Sequence, residues 1–270
     1  MLRRWCVPLA GLGLVLGSIA AAGTASAAPA PPHAQAAHVI GPAAHLVGPA
    51  SHGTRPLIAH GGPVNAAEST NWSGYAANGG TYTKVSASWV EPTGTCSGSA
   101  QYSSFWVGLD GFSSSSVEQT GSEVDCSGRT AQYYSWYEMY PAYPVNFSDT
   151  VRPGDHFTGS VTFNGGSRYT LVLADTTRGW SHIVNASLSG AANSSAEVIA
   201  EAPCCTASGG ILPLAHFSPV TFSNATVDGS AIGNFNPTQI IMINNSGTPK
   251  DSISSLSGGT SFTATWLRSN

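Results

Sequence analysis

Residues 105–121 read FWVGLDGFSSSSVEQTG, and this stretch decides the fold. Phe105 to Leu109 and Val117 to Gly121 have the aromatic and β-branched character of strands. Between them Asp110, Gly111 and the serines Ser113–Ser116 are turn formers. Two short strands, 102–109 and 117–124, flanking a turn-rich link are therefore predicted. The stretch carries an aromatic, Trp106, a turn aspartate, Asp110, and a strand glutamine, Gln119. A much later segment, Ala196–Glu201 (AEVIAE), reads as a short apolar strand that ends on a carboxylate.

Working outward, the same texture runs from Asn71 to the C-terminus. Further strands are predicted at 72–76, 82–90, 131–139, 156–163, 169–174, 180–184, 215–222, 239–243 and 261–267. They are short, rich in Val, Ile, Thr and aromatics, and separated by Gly, Ser, Asn and Pro clusters. No segment sustains a helical period, and Leu, Glu and Lys are scarce. Many strands without crossover helices imply an all-β fold: antiparallel sheets packed as a sandwich of jelly-roll, concanavalin A-like type, in one domain.

That domain is assigned residues 69–270. Residues 1–27 have Arg3 and Arg4, an apolar run from Val7 to Ala22 and an Ala25-Ser26-Ala27 cleavage pattern, which is a secretory signal peptide. The protein is thus expected to be secreted and extracellular, with no membrane attachment after signal cleavage. Residues 28–68 are rich in Ala, Pro and His and repeat AHVIGPA (37–43) as AHLVGPA (44–50). A proline every seventh residue excludes a continuous helix, and the segment reads as a propeptide. It holds five of the eight histidines, so release sensed by pH is one reading and a plain export linker the other.

Once the signal is removed, four cysteines remain: Cys96, Cys126, Cys204 and Cys205. An even number in an exported chain favours disulfides. Cys96–Cys126 is the expected bridge, because it would clamp the strands around the opening stretch; Cys204 and Cys205 form a vicinal bridge or stay reduced. No C-x-x-C spacing supports zinc. Beyond Glu68 there are thirteen acidic and seven basic residues, with no basic stripe to meet nucleic acid. So few charges leave few salt bridges to lose as carboxylates protonate, which suits work in acid.

Chemistry is carried by few residues. Glu201 closes an apolar strand, where partial desolvation would raise its pKa; Glu197 shares its face and is the carboxylate most easily confused with it. Gln119 offers an amide N–H that can meet a developing oxyanion without titrating. Glu138 sits among aromatics in Trp136-Tyr137-Glu138-Met139-Tyr140. Past residue 68 only His156, His182 and His216 remain, with no G-x-S-x-G elbow and no H-E-x-x-H.

In order along the chain stand NWSG (71–74), WVGLDG (106–111), QTG (119–121), WYEMYP (136–141), AEVIAE (196–201) and LPLAHF (212–217). This ordered set resembles the glutamic peptidases, or eqolisins, from about Asn71 to the end. The resemblance implies a β-sandwich with a cleft on one sheet, polypeptide substrates and a catalytic dyad of Gln119 and Glu201. It implies supporting or substrate-binding positions at Trp72, Trp106, Asp110, Trp136 and Glu138. No metal or cofactor is required, the enzyme would be a monomer, and the propeptide would be its inhibitor or folding aid. Two features depart from the fungal pattern: Tyr134 replaces an aspartate, and the cysteines after the second glutamate are reduced to Cys204-Cys205. Two other readings use the same residues. One is a jelly-roll glycoside hydrolase with Glu138 and Glu201 as its carboxylate pair; the other is a non-catalytic carbohydrate-binding sandwich.

Overall fold

The alternation of side chains along each strand builds two cores. In the Gln101–Leu109 strand, Phe105, Val107 and Leu109 point to one side and Trp106 to the other. In Ser195–Glu201, Ala196, Val198 and Ala200 join the first group and Ile199 the second. The first group meets a second sheet, whose Trp89, Phe157, Tyr169, Phe222 and Phe262 are fully buried there. Each such side chain contributes about 2–3 kcal/mol of burial. The second group forms a smaller cluster of Trp72, Trp106, Trp136, Val117, Ile199 and Ile240 on the opposite face of the first sheet.

This is a computed structural model, and it describes residues 66–203 and 210–270. The leader, the His-rich segment through residue 65 and the Cys204-Cys205 pair lie outside the described residues. The first sheet has the order Ala66–Ser69, Thr238–Met242, Trp72–Asn78, Ser195–Glu201, Gln101–Leu109, Val117–Ser127, Thr130–Tyr140, Val145–Asn146. The second has the order Trp180–Ser187, Arg168–Asp175, His156–Phe163, Lys84–Val90, Val220–Val227, Phe262–Trp266, Asp251–Ile253. Face-to-face packing of these sheets is the predicted all-β sandwich. Cys96 and Cys126 form the expected disulfide, with 5.3 Å between Cα atoms.

Three details depart from the sequence reading. The strand predicted over 215–222 is two strands: His216–Phe217 pairs with Gly94–Thr95, and Val220–Val227 pairs with Lys84–Val90 and Phe262–Trp266. Pro219 between them has no N–H for a ladder. Among the described residues, the longer strands Ala66–Ser69 and Asp251–Ile253 were missed, as were the two-residue strands Gly94–Thr95, Val145–Asn146 and Ser230–Ala231. The first of these also breaks the antiparallel expectation, for it runs parallel to Thr238–Met242.

Candidate active site

Residues directly opposed in an antiparallel ladder share a face of the sheet. One row across the first sheet is therefore Trp72, Glu201, Ser104, Glu123 and Tyr134. Two residues further along each strand comes Gly74, Ile199, Trp106, Gly121 and Trp136, and two further again Ala76, Glu197, Gly108, Gln119 and Glu138. Six of the seven residues singled out from the sequence thus share one face: Trp72, Trp106, Gln119, Trp136, Glu138 and Glu201.

Glu201 is buried and held by three N–H donors. Its Oε1 accepts from Asn71 Nδ2 and from the Trp72 indole, both at 3.1 Å, and its Oε2 accepts from the Trp106 indole at 2.8 Å. Burial pushes its carboxyl up to about 7, against the opposing pull of Trp106, Trp72, Asn71 and Ser104. Gln119, equally buried, donates through Nε2 to Glu138 Oε2 at 2.5 Å. Only the NH2 end of an amide can donate to a carboxylate, so this bond fixes which way the Gln119 amide turns. An amide nitrogen carries two hydrogens, and the second is left for another acceptor.

Trp106 lies between Gln119 and Glu201. It sits on the intervening strand, midway between Ser104, opposite Glu201, and Gly108, opposite Gln119. Its nitrogen reaches Glu201, while its far ring edge lies 2.9 Å from where a Cβ on Gly108 would stand. Gly121 lets this indole settle: a Cβ there would be 2.3 Å from the Phe105 carbonyl and 2.5 Å from Trp106 Cβ. Trp72 meets the same indole edge-on, with centroids 4.9 Å apart. The floor between Gln119 and Glu201 is therefore an immobilised aromatic plate.

Asp110 has a different place. It is fully buried at φ 69°, in the left-handed region. Its Oδ2 accepts the N–H groups of Ala192 and Asn193 at 2.9 and 2.7 Å, and its Oδ1 accepts that of Ser194 at 2.8 Å. The carboxylate ties the 110–116 link to the approach of the Ser195–Glu201 strand. It orders the 192–194 segment and does not share the face of Gln119 and Glu201.

Sequence reasoning passed over Asn71 as an individual side chain, and over Glu123. Glu123 is buried one strand beyond Ser104 on the row of Glu201. Burial first, then Asp125 and Glu201, raise its carboxyl well above the usual range. A period-two count from Gln119 through Gly121 would have put it on this face. Glu197 is also buried, raised by desolvation and by Asp110 and Glu118; its causes lie toward the 110–112 link and Ser195.

Among known proteins, residues 70–266 match the Peptidase A4 family. Aspergillopepsin-2 of Aspergillus niger is 29% identical over 205 residues, which cover 66% of this chain and 72% of that protein. The crystal structure of scytalido-glutamic peptidase with a transition state analog inhibitor is similar at a TM-score of 0.65 and 26% identity, covering 73% of this chain and 98% of that one. The crystal structure of aspergilloglutamic peptidase from Aspergillus niger is similar at a TM-score of 0.56 and 28% identity, covering 62% and 99%. Family, sheet architecture and motif order agree, and the chain belongs to the Peptidase A4 family, the glutamic peptidases or eqolisins.

Proposed function

We propose that this peptidase is a secreted acid endopeptidase working through a Gln119/Glu201 dyad. The observation that carries the reading is the Glu201 carboxyl held by two indoles and an amide, on the same sheet face as an oriented Gln119. Ionised Glu201 takes a proton from a water, which attacks the scissile carbonyl. The second N–H of Gln119 donates to the oxygen of the tetrahedral intermediate, and Glu201 returns its proton to the leaving amine. No metal and no covalent intermediate enter these steps, and pepstatin is expected not to inhibit. Maturation removes the His-rich propeptide, which acts as inhibitor or folding aid, and the enzyme works as a monomer.

The carboxyl at about 7 sharpens the mechanism. A raised carboxyl ionises late, so the form that acts as base grows as pH climbs toward about 7. Confinement to acid then comes from the fold, whose buried carboxyls such as Glu91 and Glu118 favour the protonated state, and not from the dyad.

The test is cleavage of denatured protein from pH 2 to 7 by wild type, Gln119→Ala and Glu201→Gln, with pepstatin and a chelator in parallel. Expected are activity that resists both inhibitors, loss of about two to three decades in turnover for Gln119→Ala, and no activity for Glu201→Gln, with both variants folded. Wild-type turnover in either variant removes that residue from the mechanism.

A further inference from the structure

The donors on Glu201 are themselves held in place from an unexpected direction. Ser69 ends the parallel strand Ala66–Ser69, where it pairs with Met242, and its carbonyl accepts the Ile243 N–H at 2.8 Å. Its hydroxyl then does three things at once. It donates to Asn71 Oδ1 at 3.1 Å, and it accepts the backbone N–H groups of Asn71 at 3.3 Å and Trp72 at 3.1 Å. A serine hydroxyl has one hydrogen and two lone pairs, so this set uses its full capacity.

The consequence reaches the carboxylate. Because the Ser69 hydroxyl holds the oxygen end of the Asn71 amide, the nitrogen end faces Glu201 Oε1. The same hydroxyl pins the backbone of Trp72, whose indole donates to that same oxygen. Two of the three donors on Glu201 therefore share one upstream anchor, and that anchor stands on a strand at the very edge of the sheet.

We propose that Ser69 is a positioning residue for the Glu201 carboxylate, and that the strand Ala66–Ser69 stays with the catalytic domain when the chain is processed. The inference rests on the dyad reading. A cut after Ser69 would take away the strand and the hydroxyl together, and with them the bond to the oxygen end of the Asn71 amide. The processing cut therefore falls on the N-terminal side of Ala66, which moves the 68/69 boundary read from the sequence to before the strand Ala66–Ser69.

The test uses the full-length chain, allowed to process itself, as wild type, Ser69→Ala, Ser69→Thr and Glu201→Gln. Residue 69 pairs through its backbone, so the alanine variant keeps the strand; should it fail to fold by near-UV circular dichroism, Ser69→Cys carries the same measurement. Expected for Ser69→Ala is a drop in kcat of about tenfold, the worth of one well-placed hydrogen bond, with KM unchanged. Its acid limb should also move to higher pH, because a carboxylate with a loosened donor ionises less readily. Ser69→Thr keeps the hydroxyl and should restore both. The mass of the mature wild-type enzyme should place its first residue at or before Ala66.

An unchanged kcat and acid limb in Ser69→Ala, with Glu201→Gln inactive, overturns this inference alone. Activity retained by Glu201→Gln overturns the dyad reading instead. A fully active mature enzyme that begins after Ser69 overturns the claim about processing and the positioning role with it.

Discussion

Glu91 gives the sharpest prediction about where on the pH scale this fold can exist. It is 1% exposed, and neither carboxyl oxygen has a hydrogen-bond partner of good geometry. Burial pushes the group up to about 8 from 4.5; Ser122 pulls it down, and the charges of Asp155 and Asp175 add to the rise. The folded state therefore holds this proton more tightly than the open chain does. Its stabilising effect is complete below about pH 4 and is lost as pH climbs toward 8, at about 1.4 kcal/mol per pH unit. Between pH 4 and pH 7 the loss from this one group is about 3 kcal/mol. Glu91→Gln removes the titration and keeps the shape. Urea unfolding of both proteins at pH 4 and pH 7 isolates the effect as a difference of differences, so any constant cost of the amide cancels. The variant should lose about 3 kcal/mol less than wild type over that interval. Equal losses in the two proteins would show that Glu91 is not held protonated by the fold, and the reasoning would fall. The same sign applies to Glu118, up to about 8, and to Asp125 and Asp251, each up to about 7, all raised chiefly by burial. Each of them adds to the loss of stability as pH rises toward neutral. Activity should thus rise with Glu201 ionisation and then fail where the fold does.

Three further outcomes follow from contacts already described. Glu138→Ala frees the Gln119 amide and should lower kcat about ten- to a hundredfold, the range for a hydrogen bond to a charged group, with KM preserved; steady-state kinetics showing a rise in KM alone would put Glu138 on the substrate instead. Gly121→Ala drives a methyl into the Phe105 carbonyl and Trp106, and denaturant melts should show a loss of about 3 kcal/mol, a loss under about 1 kcal/mol being incompatible with that packing. Opening the Cys96–Cys126 bridge with a double serine variant releases a loop spanning 30 residues and should cost about 3–4 kcal/mol in the same assay, whereas an unchanged midpoint would mean the bridge contributes nothing.

The sequence by itself determined what is local. Period-two alternation in FWVGL and AEVIAE told which side chains point together, and Gly, Ser and Pro clusters told where strands stop. Those cues, with the motif order, were enough for the sandwich and the family, because each depends on residues a few positions apart or on their succession along the chain. Tertiary structure decided what depends on register and strand order. Ala66–Ser69 has no strong strand pattern of its own and becomes a strand because Thr238–Met242 offers it an open edge. Asp110 could be read as a supporting or a substrate-binding residue, and only the fold shows that the backbone N–H groups of residues 192–194 meet its carboxylate. Glu123 stands near Glu201 only because Ser104 is the cross-strand partner of both. The physical reason is the same in each case: cross-strand neighbours are chosen by the burial of whole sheets, and a charge acquires its properties from those neighbours and from the water they exclude.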